Sequence, residues 1–186
     1  MRRAVVGVAL ALGCSDGSQL GKADDGAAAS RYEPLVALDA FSAVGRSQDP
    51  FVGDPEAAAA CIPSFRYEAD QHRLEIDTTL CNWITLKTEP LGAVDAGQPL
   101  RIDFSHYDLD APEPAEATLR LRFGVCDVWS EMIPIPSSAN VARAELASPC
   151  ALDESRAAAD GGEAIFFHLD NHGQNTYQLQ GISVLR

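Results

Sequence analysis

The sequence predicts an all-β protein, an antiparallel β-sandwich of jelly-roll-like form with about eight or nine strands and at most short helical turns. Two observations carry that prediction. Apolar residues recur with period two in run after run, the pattern of strands with one buried face. Turn residues break those runs about every 8 to 15 positions, as in "VDAGQP", "DGGE", "NHGQN", "APEPA" and "IPIP". Helix signals are confined to "DPEAAAAC" and "LDESRAAADG", neither with an extended amphipathic face. A chain of 186 residues fits one such domain with room for a leader and a tether.

In chain order, "MRRAVVGVALALGC" comes first. Arg2 and Arg3 form a basic start, and the apolar run Ala4–Leu12 is far shorter than the ~20 residues a spanning helix needs. The run has the length of a signal-peptide core. "ALGC" at 11–14 resembles the lipobox of bacterial lipoproteins, with Ala11 where leucine is usual. That resemblance implies that residues 1–13 are a signal peptide and that Cys14 is acylated and holds the protein to a membrane. Ser15 after the cysteine resembles the pattern sent to an outer membrane, which implies a lipid-anchored cell-envelope protein, periplasmic or surface-exposed. The alternative is an ordinary secretory leader with a chance cysteine. Residues 14–30 then form the lipidated cysteine and a flexible linker of Gly, Ala, Ser and Asp, and 31–186 the β-sandwich.

Within that domain "RLEID" sets Leu74 and Ile76 against Glu75 and Asp77. "LRIDFSH" aligns Leu100, Ile102, Phe104 and His106 opposite Arg101, Asp103 and Ser105. "ATLRLRF" places Leu119, Leu121 and Phe123 on one face and Arg120 and Arg122 on the other. "AIFFHLD" separates Ile165, Phe167 and Leu169 from Phe166, His168 and Asp170. In "NTYQLQGISVL" the phase of Tyr177 and Leu179 is reversed at Ile182 and Val184, with Gly181 between them, as a β-bulge requires. "VDAGQPLRIDF" and "ADGGEAIFFHL" share a glycine-led cadence resembling galactose-binding and carbohydrate-binding sandwiches.

Cys61, Cys81, Cys126 and Cys150 remain after Cys14, an even number that suits an oxidising compartment. Of the three connectivities, Cys61–Cys81 and Cys126–Cys150 are favoured because each pair flanks a short strand segment. Each would close a loop of about 20 to 25 residues, worth roughly 3 kcal/mol. A zinc site would be expected to show C-x-x-C spacing, which is absent.

"DPF" (49–51), "IDTTLCNWIT" (76–85), "APEPAEATL" (111–119), "IPIP" (133–136) and "FHLDNHGQNTYQL" (167–179) together resemble a group of uncharacterised secreted lipoproteins of myxobacteria. Asp170 departs from that pattern, where a second histidine is expected, and Ser105-His106-Tyr107 stands in place of Trp-His-Phe. The resemblance implies shared design in the terminal F-H-L-x-N-H-G-x-N motif, and no activity.

The charge is acidic, 27 Asp and Glu against 14 Lys and Arg, without a basic stripe, which excludes nucleic acid as an expected partner. His106, His168 and His172, with Asp108, Asp110 and Asp170, are the residues that could gather round a metal. The bland alternative is a backbone-bonded histidine and a solvated acidic loop; no cofactor is expected, structural calcium at that loop being the one exception weighed. No G-x-S-x-G elbow is present, and Ser105 and His106 point to opposite faces of one strand. Binding is the better expectation. The candidate ligand residues are Trp83, His106, Tyr107, His168, Asn171, His172 and Asn175, although turn chemistry around Gly173 is the favoured account of "NHGQN" as a hairpin tip, with His168 and His172 second to it. The expected function is a non-catalytic surface for a glycan or another envelope protein. A metal-assisted hydrolase using His106, His168 and His172 and a purely structural surface protein are the alternatives.

Overall fold

The five alternating runs all become strands with the faces expected of them. The computed structural model describes residues 30–51, 64–79, 82–153 and 164–186. Among these, the strands are β1 (Tyr32–Pro34), β2 (Ser42–Ala43), β3 (Phe65–Glu68), β4 (Arg73–Asp77), β5 (Trp83–Thr88), β6 (Pro99–His106), β7 (Ala115–Phe123), β8 (Cys126–Ile135), β9 (Asn140–Ala147), β10 (Ile165–Asp170) and β11 (Thr176–Leu185). The only helical pieces among the described residues are 3₁₀ turns at Leu38–Ala40 and Arg46–Gln48. Eleven strands exceed the expected eight or nine because β1 and β2, of three and two residues, are too short to show a period.

Every pairing is antiparallel. The first sheet runs β3-β4-β11-β6-β9, with β1 beside the end of β11 that β4 does not reach; the second runs β2-β5-β10-β7-β8. Leu74, Ile76, Leu100, Ile102, Phe104, Tyr177 and Leu179 of the first sheet meet Ile84, Leu86, Leu119, Leu121, Phe167 and Leu169 of the second, all buried. Burying such side chains contributes about 1.5–3 kcal/mol each, which is what holds two sheets face to face.

The bulge lies where the phase reversal placed it. Leu179 pairs with Phe104 and Gly181 with Asp103, leaving Gln180 as the extra residue. Without that insertion Ile182 and Val184, both buried, would turn to the outside. A Cys126–Cys150 disulfide ties the start of β8 in the second sheet to the chain just beyond β9 in the first. Cys61, Cys81, the leader, the linker up to residue 29 and both helix-like stretches lie outside the described residues, "DPEAAAAC" from residue 54 and "LDESRAAADG" but for Leu152 and Asp153.

Candidate functional site

The outer face of the second sheet carries His168, but not as an open imidazole. Asp49–Phe51 lies across it, and the Phe51 ring stacks on His168 with centroids 4.6 Å apart. Arg122 holds this strap in place, its guanidinium 4.7 Å from the Phe51 centroid and its Nη1 donating to the Pro50 carbonyl at 2.6 Å. Beneath it Thr85 Oγ1 donates to Asp49 Oδ2 at 2.6 Å and lies 2.7 Å from His168 Nδ1. The hydroxyl has one proton, spent on the carboxylate, so His168 Nδ1 is the donor to Thr85. Burial pushes the imidazole down to about 4, aided by Arg120 and Arg122 and opposed by Asp49. This is a neutral, structural histidine. A nucleophilic triad would place the imidazole between hydroxyl and carboxylate; here the hydroxyl is in the middle.

Trp83 begins β5 on the same face and is also buried, its ring 6.1 Å from His168. Trp129 is partly buried and packs on Phe104 at 5.4 Å between the sheets. Neither indole offers a free platform. His106 continues the inward row of β6, packs against Tyr177, and donates from Nδ1 to the Tyr107 carbonyl at 2.7 Å. Tyr107 is exposed, with its hydroxyl 3.5 Å from Arg73 Nη2.

The "NHGQN" turn is closed by its own amides. Asn171, with no exposure at all, donates from Nδ2 to Thr78 Oγ1 (2.7 Å) and the Gly173 carbonyl (2.9 Å). Its Oδ1 accepts from the Tyr177 hydroxyl (2.6 Å) and Asn175 Nδ2 (3.1 Å). Asn175 also accepts from the Asp110 backbone at 2.8 Å. Gly173 has φ +102°, and a Cβ there would collide with the Asp110 carbonyl, so glycine is required. The turn chemistry is fully consumed internally. His172 is exposed beside an open hollow of about 950 Å³ that Asp170, Glu113 and Glu116 also line. Asp108 and Asp110 cap the backbone amides of Ala139 and Ala111. The structure thus does not bring His106, His168 and His172 together, and no group of three His, Cys, Asp or Glu spaced for a metal occurs among the described residues.

A different place has the form of a site. At the first sheet, between β1 with the 3₁₀ turn that follows it and the β3–β4 turn, lies a groove of about 380 Å³, within the usual size range of ligand sites. Its lining includes Tyr32 and Pro34 from β1, Val36–Asp39, Tyr67 and His72 around the β3–β4 turn, Arg101 and Asp103 of β6, and Gln180–Ser183 of β11. Arg101 stacks over the Tyr32 ring at 4.6 Å with Nε 2.9 Å from Asp103, and Asp103 also accepts from Arg143 at 2.6 Å. The Tyr67 hydroxyl lies 3.0 Å from His72 Nδ1, and His72 holds a positive φ of 48° without being glycine, a costly conformation that favours ligand sites and turns. Behind Gln180, outside the lining itself, Ser105 and Gln178 are both buried, and Gln178 Nε2 has no hydrogen-bond partner among the described residues. None of these groove residues was among the sequence candidates. The phase reversal at Gly181 was the one available signal.

Fold and groove define a two-sheet β-sandwich module with a ligand-sized polar groove at one sheet. No protein-family model matches the chain, and no curated protein sequence matches it. Among solved structures it is similar to a CBM4 module, with 12% identity and a TM-score of 0.43, covering 82% of this chain and 94% of that one. It is similar also to TmCBM27, a carbohydrate-binding module with specific mannan recognition, at 6% identity and a TM-score of 0.45 over 84% of this chain and 98% of that one. A family 11 carbohydrate-binding module from Clostridium thermocellum, in complex with a β-1,3-1,4-mixed-linked tetrasaccharide, is 14% identical with a TM-score of 0.36, covering 77% and 94% of the two chains.

Proposed function

We propose that this protein is a lipid-tethered module of a bacterial cell envelope whose β-sandwich binds a glycan without breaking it down. The groove at the first sheet carries the reading. Aromatic rings, an arginine fork and a side-chain amide line it together, the combination that suits a ring with apolar faces and an edge of hydroxyls. The binding rather than catalytic half of the proposal rests on the carboxylates nearby. Glycoside cleavage uses two free carboxyl groups facing each other across the bond. Here Asp103 is clasped by Arg101 and Arg143, and Glu68 and Glu75 by Arg66 and Arg73. The tether rests on the resemblance of "ALGC" to a lipobox, and the oxidising location is supported by the Cys126–Cys150 bond.

The test combines affinity electrophoresis through gels containing soluble polysaccharides with chromatography of the same polysaccharides after incubation. The proposal expects retarded migration with no released sugar; release of sugar, or free migration through every polysaccharide, would contradict it. Mass spectrometry of protein extracted from membranes should find acylated Cys14 at the N-terminus, and a mature chain starting elsewhere would remove the tether.

A further inference from the structure

We infer that the groove takes a neutral saccharide, recognised by the Gln180 amide and the Arg101 guanidinium, both held in position before the ligand arrives. This rests on the glycan-binding reading above and assigns its site and ligand class. Gln180 is the extra residue of the β11 bulge, a device that re-aims one side chain out of the ladder. Its Nε2 donates to Ser105 Oγ at 3.0 Å, and Ser105 in turn donates to Gln178 Oε1 at 2.9 Å. Ser105 and Gln178 are only 4% and 5% exposed, so the bulged amide is oriented by a buried pair. Among the described residues nothing bonds its other N–H or its Oε1, a donor and an acceptor that match adjacent sugar hydroxyls.

Arg101 is fixed in the same manner. The Tyr32 ring lies under its guanidinium, and Asp103 Oδ2 sits 2.9 Å from its Nε as an ion pair rather than a directed hydrogen bond. A preorganised fork loses little side-chain freedom on binding, which raises affinity without new contacts.

Charge decides the ligand class. Among the described residues Arg101 is the one Lys or Arg lining the groove, and it is paired with Asp103, which Arg143 also holds; Asp39 adds a second carboxylate to the lining. An acidic sugar would meet no unpaired cation in the groove, on a chain of formal charge −13, whereas a neutral one needs only hydrogen-bonding groups and rings.

The test is calorimetric titration of the whole protein with two panels, neutral gluco-, manno- and xylo-oligosaccharides and acidic oligogalacturonates and alginate oligomers. Gln180→Ala and Arg101→Lys are compared with Asp170→Asn on the other sheet, with thermal melts confirming that each variant is folded. The inference expects binding from the neutral panel, insensitive to salt, weakened about tenfold by each groove substitution and unchanged by the control. Preference for the acidic panel, or neutral binding indifferent to both groove variants, would overturn the inference while leaving the glycan reading standing. Silence from both panels would overturn the two together.

Discussion

Asn171→Ala should be among the most damaging single substitutions in the domain, although it lies in a turn. Asn171 makes four side-chain hydrogen bonds, and its replacement strands two buried donors, the Tyr177 hydroxyl and one Asn175 N–H. Thr78 Oγ1 keeps the Asn175 backbone amide at 3.1 Å and so is not orphaned, while its one proton, donated across 2.9 Å to the Asn175 carbonyl, leaves the Gly173 carbonyl at 3.3 Å a shared bond at most. A stranded buried donor costs about 1–3 kcal/mol, so two put the loss at about 2–6 kcal/mol, a large share of a typical domain's stability. The Tyr177 phenol cannot escape by ionising, because burial pushes its pKa up. Tyr177→Phe alone should cost about 1 kcal/mol, since Asn171 Oδ1 retains Asn175. In the Asn171→Ala background the same change removes the stranded hydroxyl and should be neutral or restorative, a coupling of roughly 1–2 kcal/mol. Urea unfolding followed by the fluorescence of Trp83 and Trp129 reads all four proteins. A cost below about 1 kcal/mol for Asn171→Ala, or strict additivity in the double variant, would refute the account of this turn as a structural amide network.

The remaining expectations concern other parts of the domain. His168 titrates near 4 when folded against 6.5 when unfolded, so the unfolded chain binds the extra proton between those values and stability falls as pH drops through that window. The contribution is about 3 kcal/mol, and a His168→Gln variant should lose that acid slope in urea midpoints measured from pH 7 to 4; an unchanged slope would count against it. Phe51→Ala uncovers the ring and should move its NMR-detected pKa upward toward 6.5, whereas a value fixed near 4 would show that the strap does not desolvate it. Gly173→Ala forces a side chain into a left-handed turn against the Asp110 carbonyl and should cost at least ~2 kcal/mol in the same assay. Replacing Cys126 and Cys150 by serine opens a link with a sequence separation of 24 residues and should lower stability by roughly 3 kcal/mol, with an unchanged midpoint as the contrary result.

What the sequence made legible was local. Leu119, Leu121 and Phe123 alternate with Arg120 and Arg122 because β7 has one face in the core, and the same holds for β4, β6, β10 and β11. Gly181 marked the bulge because the pattern itself changed phase there. The closed "NHGQN" turn follows from Gly173 and its flanking asparagines, residues with known turn chemistry. By contrast, what covers and bonds His168 was not legible, because the strap Asp49–Phe51 comes from far upstream and Thr85 from a neighbouring strand, where a backbone partner was expected. The groove stayed hidden for the same reason. Tyr32, Tyr67, Arg101 and Gln180 belong to four strands far apart in the chain, and only the order β3-β4-β11-β6, with β1 beside β11, gathers them. Periodicity reports which face a residue takes and is silent about which strand lies next to it. β9 was faint for a further reason, its inward row being Ala142, Ala144 and Leu146 on an edge strand.

A ¹⁵N-NMR titration of the folded protein with neutral oligosaccharides locates the contact directly. The largest amide shifts should fall on Tyr67, His72, Arg101 and Gln180 and spare His172 and Asp170. Shifts centred on the Asn171–Asn175 turn, or none at saturating sugar, would contradict a glycan site on the first sheet.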